Sequence, residues 1–75
     1  MLKAISDELR GIRSKKRLSL EDVAKALHVS KETIRRYENN ASGLSIEKLE
    51  KLLAYYEIDK KIFFDNVCAN MHECD

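Results

Sequence analysis

Proline and tryptophan are absent, glycine and cysteine occur twice each, and aromatic residues make up 7% of the 75 positions. With no proline and two glycines, the chain lacks the turn residues that a β-sandwich needs every few positions. No run of 18 or more apolar residues exists, so no transmembrane helix is available. The opening segment, MLKAISDELR, has an acidic pair and no long apolar stretch, unlike a secretory signal. The expected location is the cytoplasm. No phosphate-binding glycine loop, no G-x-S-x-G and no H-E-x-x-H motif occurs, and no nucleophile stands beside an evident base. Enzymatic activity, a cofactor and a small-molecule substrate are therefore not expected. A chain this short makes one domain, burying only about 60% of the surface it exposes when unfolded.

Charge is present in quantity but segregated. Residues 1–40 hold ten Lys/Arg against six Asp/Glu, and residues 41–75 hold four against seven, within a net charge of +1. Such an imbalance suits a basic face turned to a polyanion, although two solvated helix surfaces would look the same.

Apolar periodicity predicts helices throughout. Leu2, Ile5, Leu9 and Ile12 form a stripe that predicts a first amphipathic helix fading near Arg17. Ser19 with Asp22 three residues on reads as a variant capping box, opening a second helix over Leu20–Leu27. Only His28, Val29 and Ser30 follow before a third helix, Lys31–Glu38, buried through Ile34 and Tyr37. So short a connection forces the two to cross at a large angle. Asn40 is expected to take the left-handed conformation at the third helix's end. Ser45 caps a fourth helix over Ile46–Tyr55, buried through Ile46, Leu49, Leu52 and Leu53, and Asp59 a fifth over Lys60–Phe64, with Ile62 and Phe63 inward. Residues 65–75, DNVCANMHECD, read as a polar tail. Residues 1–64 thus form the domain and 65–75 its tail.

In order, these motifs are Leu9-Arg10, Leu18–Ala24 (LSLEDVA), Val29–Glu38 (VSKETIRRYE) and Ser45–Leu49 (SIEKL). Together, across residues 5–64, they resemble the helix-turn-helix domain of the phage repressor/Cro type, also called Xre-like. The resemblance implies an all-α, five-helix, lambda-repressor-like bundle that binds double-stranded DNA. The expected function is a transcription regulator, specifically a repressor, holding a palindromic operator as a homodimer. A protein-interaction module or an antitoxin on the same fold is the alternative. Neither needs a membrane.

Lys31, Glu32, Arg35 and Arg36 are the candidate base-reading residues: they occupy the positions that vary in the family and lie on the outward edge of the third helix. Lysine can donate to guanine O6 and N7, and glutamate can accept from cytosine N4. A plain solvated helix face would instead place Glu32 against Arg36 and, unfavourably, Lys31 near Arg35. Candidate phosphate contacts are Arg13, Lys16, Arg17, Ser19, Leu20, Asn39, Asn40 and Ser42, because helix N-termini and cations draw anions. The chain departs from the family pattern in having Leu20 for glutamine, Asn40 for glycine, and Ala41 and Ser42 for basic residues, which removes polar contacts. The resemblance also implies an internal ion pair between Arg10 and Glu38. The apolar surplus late in the chain, Tyr56, Ile62, Phe63, Phe64 and Val67, is expected to supply a dimer contact. Cys68, His72 and Cys74 cluster near the end, but their spacing matches no standard metal site, and no metal is expected.

Overall fold

The structure, a computed structural model, describes residues 2–41 and 43–73, with side chains as far as residue 69. Five helices follow one another: α1 (Leu2–Lys15), α2 (Leu20–Leu27), α3 (Lys31–Asn40), α4 (Ile46–Tyr56) and α5 (Lys60–Glu73). No strand occurs among the described residues.

The starts of the helices are local hydrogen-bond chemistry. Ser19 Oγ accepts from the Asp22 N–H at 3.0 Å while Asp22 accepts from the Ser19 N–H at 3.0 Å, closing the capping box. Those bonds, the backbone one first, hold the Asp22 carboxyl below its ordinary value. Ser30 and Ser45 cap α3 and α4 the same way, accepting from the Thr33 and Lys48 N–H groups. Asp59 Oδ1 accepts from the Lys61 N–H at 2.8 Å at the head of α5.

The ends use left-handed residues that are not glycine: Arg17, His28, Ala41 and Glu57 all have φ between 56° and 59°. His28 is thus the turn residue between α2 and α3, and its N–H reaches the carbonyls of α2's last turn. Asn40 remains helical and Ala41 takes the left-handed position expected of Asn40, so α3 runs two residues past Glu38.

The core gathers Ile5, Leu9 and Ile12 of α1, Val23 and Ala24 of α2, Ile34 and Tyr37 of α3, and Leu49, Leu52, Leu53 and Tyr56 of α4. Phe63 and Val67 complete it from α5. Helix α1 packs on α3 and α5, while α2 packs on α3 and α4. Ser6, fully buried on α1, donates to the Tyr37 carbonyl at 2.9 Å, a second bond to an oxygen that also accepts from the Ala41 N–H, and so joins α1 to the last turn of α3.

Several sequence expectations need correction. Leu2, Ile46 and Ile62 fit the apolar stripes yet are 57%, 68% and 58% exposed. Leu2 and Ile46 stand at first helical positions, where no preceding turn covers them. Ile62 precedes Phe63, and adjacent helical residues are about 100° apart, so burying one turns the other away. Helix α5 does not end at Phe64 but continues to Glu73. Val67, one turn after Phe63, is buried against the core, and Asn66 Nδ2 donates to Glu8 of α1 at 3.2 Å.

Candidate nucleic-acid interface

Helix α3 hides one face and offers another. Ile34, Tyr37 and Glu38 are buried, so Lys31, Glu32, Arg35, Arg36, Asn39 and Asn40 project outward and are all exposed. The head of α3 meets the head of α2 across an open groove of about 520 Å³ lined by Arg13, Ser19, Leu20, Glu21, Lys31 and Arg35. Two candidate base readers thus share one surface with the capped start of α2, where unpaired N–H groups and the helix dipole favour an anion. Sequence reasoning points to the amides near Leu20–Glu21 but not to the Glu21 side chain, which puts a carboxylate at the groove.

The outward edge carries an internal pair. Arg35 Nη1 donates to both carboxylate oxygens of Glu32, at 2.9 and 2.8 Å. The partner of Glu32 is therefore Arg35, one turn on, and not Arg36.

The buried ion pair also differs from expectation. Glu38 accepts from Arg13 Nε at 2.7 Å, while Arg10 pairs with Asp7 on its own helix at 2.9 Å. The two arginines are three residues apart on α1 and face different neighbours. Arg13 further donates to the Leu18 carbonyl at 2.8 Å. One guanidinium therefore ties α1 to α3 and to the turn that leads into α2. The hydrogen bond to Glu38 holds the Arg13 guanidinium above its ordinary range. Tyr56 lies nearby, and burial, then the Glu38 charge, pushes its phenol well up. Arg13, expected as a phosphate contact, turns its Nε and one Nη1 donor inward, although it still edges the groove.

Of the other candidate phosphate residues, Lys16 and Arg17 are exposed at the end of α1, and Lys16 lines a separate groove between α1 and α5. Ser42 lies outside the described residues. Of the expected dimer contacts, Tyr56, Phe63 and Val67 are at most 1% exposed and belong to the chain's own core. A side chain already enclosed by its own fold has no surface left to offer a second copy. Ile62 remains on the outside and Phe64 is half-buried, its ring edge-on to Phe63 at 5.3 Å. Cys68 is exposed, whereas the side chains of His72 and Cys74 lie outside the described residues. Among the described residues no helix is long and apolar enough to cross a membrane.

Two capped helices joined by a three-residue turn, the second laid on its neighbours with a cationic edge outward, define a helix-turn-helix DNA-binding transcription regulator. The chain belongs to the Xre/Cro/CI-like helix-turn-helix family, whose model matches residues 9–63. Its fold is similar to that of the restriction-modification controller protein C.Esp1396I. A tyrosine-to-alanine variant of that protein superposes with a TM-score of 0.90 at 25% identity, covering 100% of this chain and 97% of that one. The wild-type controller protein gives 0.89 at 26% identity over 99% and 96% of the two chains. No curated protein matches by sequence.

Proposed function

We propose that the protein is a repressor that binds a palindromic operator as a homodimer, with α3 in the major groove. The observation that carries this reading is the shared groove: Lys31 and Arg35 stand beside the capped head of α2, with Arg36 on the same helix's outward edge. An α-helix fits the major groove, and its first turns reach base edges while the preceding helix abuts the backbone. Lys31, Arg35 and Arg36 read bases, with Glu32 on the same edge against Arg35. Ser19, Leu20 through its N–H, Arg17, Asn39 and Asn40 fix the register on phosphates. Arg13 and Glu38 set the angle at which α3 is presented. Ile62 and Phe64 supply the apolar part of the contact between copies. The reading unit is residues 1–64, and the remainder of α5 braces it through Val67.

The likeness to a restriction-modification controller protein makes the genes of such a system the first place to look for the operator. Leu20, where the family pattern has glutamine, leaves fewer polar contacts at the groove and favours, as the second reading, a protein partner for the same face.

Selection of bound sites from random duplex DNA tests the two. The proposal expects enrichment of a symmetric site with half-sites about 34 Å apart, and an affinity that falls by orders of magnitude between 50 and 200 mM salt. No enrichment, or binding indifferent to salt, overturns it in favour of a protein partner.

A further inference from the structure

The Glu32–Arg35 pair is the one feature of the reading edge that a plain basic surface would not need. Both carboxylate oxygens sit on a single nitrogen, Nη1, at 2.9 and 2.8 Å. Among the described residues the Nε–Nη2 edge of the same guanidinium has no acceptor, and that edge carries two parallel N–H groups. Two parallel N–H donors are what guanine O6 and N7 accept in the major groove. A phosphate can take the same two donors, but it draws on the net positive charge of Arg35 far more than a neutral guanine does, and the Glu32 carboxylate beside it offsets that charge. The pair is open to solvent, with side chains 49% and 70% exposed, so it is available to DNA rather than fixed by packing. Lys31, which lines the same groove, keeps its charge uncompensated among the described side-chain contacts.

We propose that Glu32 is a specificity-determining residue that acts through Arg35. It holds the guanidinium with its two-donor edge outward and removes the charge by which Arg35 would otherwise bind any backbone. The pair then rewards a guanine and gives little to a phosphate. Non-specific affinity is suppressed relative to the operator. This rests on the reading of α3 as the groove-entering helix. Glu32 is here a positioning and screening residue, and its effect must vanish when Arg35 is gone.

The test is a double-mutant cycle of the full chain (wild type, Glu32→Gln, Arg35→Ala and both together). Fluorescence anisotropy would follow binding to the selected duplex and to a scrambled duplex of the same composition at 50, 100 and 200 mM salt. Glu32→Gln is expected to bind the scrambled duplex several-fold more tightly, with the logarithmic salt slope steeper by about 0.9 per protomer, one phosphate's worth. Its ratio of specific to non-specific affinity should drop about tenfold, within the range one bidentate base contact supplies. In the Arg35→Ala background the same substitution should leave the ratio unchanged within about twofold. Thermal melts guard against a structural cause, because an exposed i,i+3 pair adds little to folding, and Glu32→Gln should melt with the wild type. A wild type that discriminates while Glu32→Gln discriminates equally well overturns this inference alone. So does an equal fall of the ratio in the Arg35→Ala background, which would make Glu32 a reader in its own right. A wild type with no preference for the selected duplex overturns the reading of α3 and this inference with it.

Discussion

Removing either side of the Arg13–Glu38 pair should ease unfolding, but by unequal amounts. The two groups are 2.7 Å apart, with 19% of the Arg13 side chain and 6% of the Glu38 side chain exposed. Breaking a buried pair by deleting one partner costs about 3–5 kcal/mol, because the survivor keeps its desolvation and loses its compensation. Arg13→Ala strands the carboxylate that cannot reach water and also takes a donor from the Leu18 carbonyl. About 3 kcal/mol is expected. Glu38→Ala strands a guanidinium on a long stem at the edge of the α2–α3 groove, which can turn outward to solvent. About 1.5 kcal/mol is expected there, after discounting the lower figure for solvent access. A domain of this size holds about 4–11 kcal/mol in all. At about 4–8 °C per kcal/mol, Arg13→Ala should melt roughly 12–24 °C below wild type and Glu38→Ala roughly 6–12 °C below. Circular dichroism melts and urea titrations at pH 7 measure both. Equal melting temperatures, or a larger loss from Glu38→Ala, would refute the assignment of Glu38 as the more deeply committed partner.

Other expectations follow from the same geometry. Ile62→Glu should leave the melt of the isolated fold nearly unchanged while shifting sedimentation toward monomer, whereas Phe63→Ala, at a fully buried position, should cost about 3–5 kcal/mol; the reverse pattern would put the wrong face of α5 on the core. Glu57 is exposed with φ 59°, so Glu57→Gly should relieve about 1–2 kcal/mol of left-handed strain, less about 0.4–1 kcal/mol for the freer unfolded chain, and a lowered melting temperature would contradict this. Asp22, with its folded value depressed below 3.8 by the Ser19 bonds, stabilises above its unfolded value and loses that contribution as pH falls through the folded one. The melting difference between wild type and Asp22→Asn should accordingly be present at pH 7 and fade below about pH 4, and a difference that grows in acid would overturn the capping assignment.

What could be read from the sequence was what local chemistry decides. Ser19, Ser30 and Ser45 announce helix starts because a hydroxyl three residues before an N–H is satisfied within one turn. Ile34 and Tyr37 announce the buried side of α3 because the helical period puts them on one stripe. Lys31, Glu32, Arg35 and Arg36 lie outward because they interleave with that stripe. What stayed hidden depends on the third dimension. Arg10 and Arg13 are one turn apart and equally polar, and only the packing of α1 on α3 decides which reaches Glu38. Residues 65–69 carry a single large apolar side chain, Val67, so a helix held there by Val67 and the Asn66–Glu8 bond is invisible until α1 is set beside it. The left-handed Ala41 has no side-chain signature at all.

The most direct measurement is a nuclear magnetic resonance titration of the labelled chain with its selected duplex. The account predicts that the largest amide shifts fall at Ser19–Glu21 and along Ser30–Arg36, with α4 and the later half of α5 little changed. Shifts concentrated on α4 and α5, with α3 still, would contradict it.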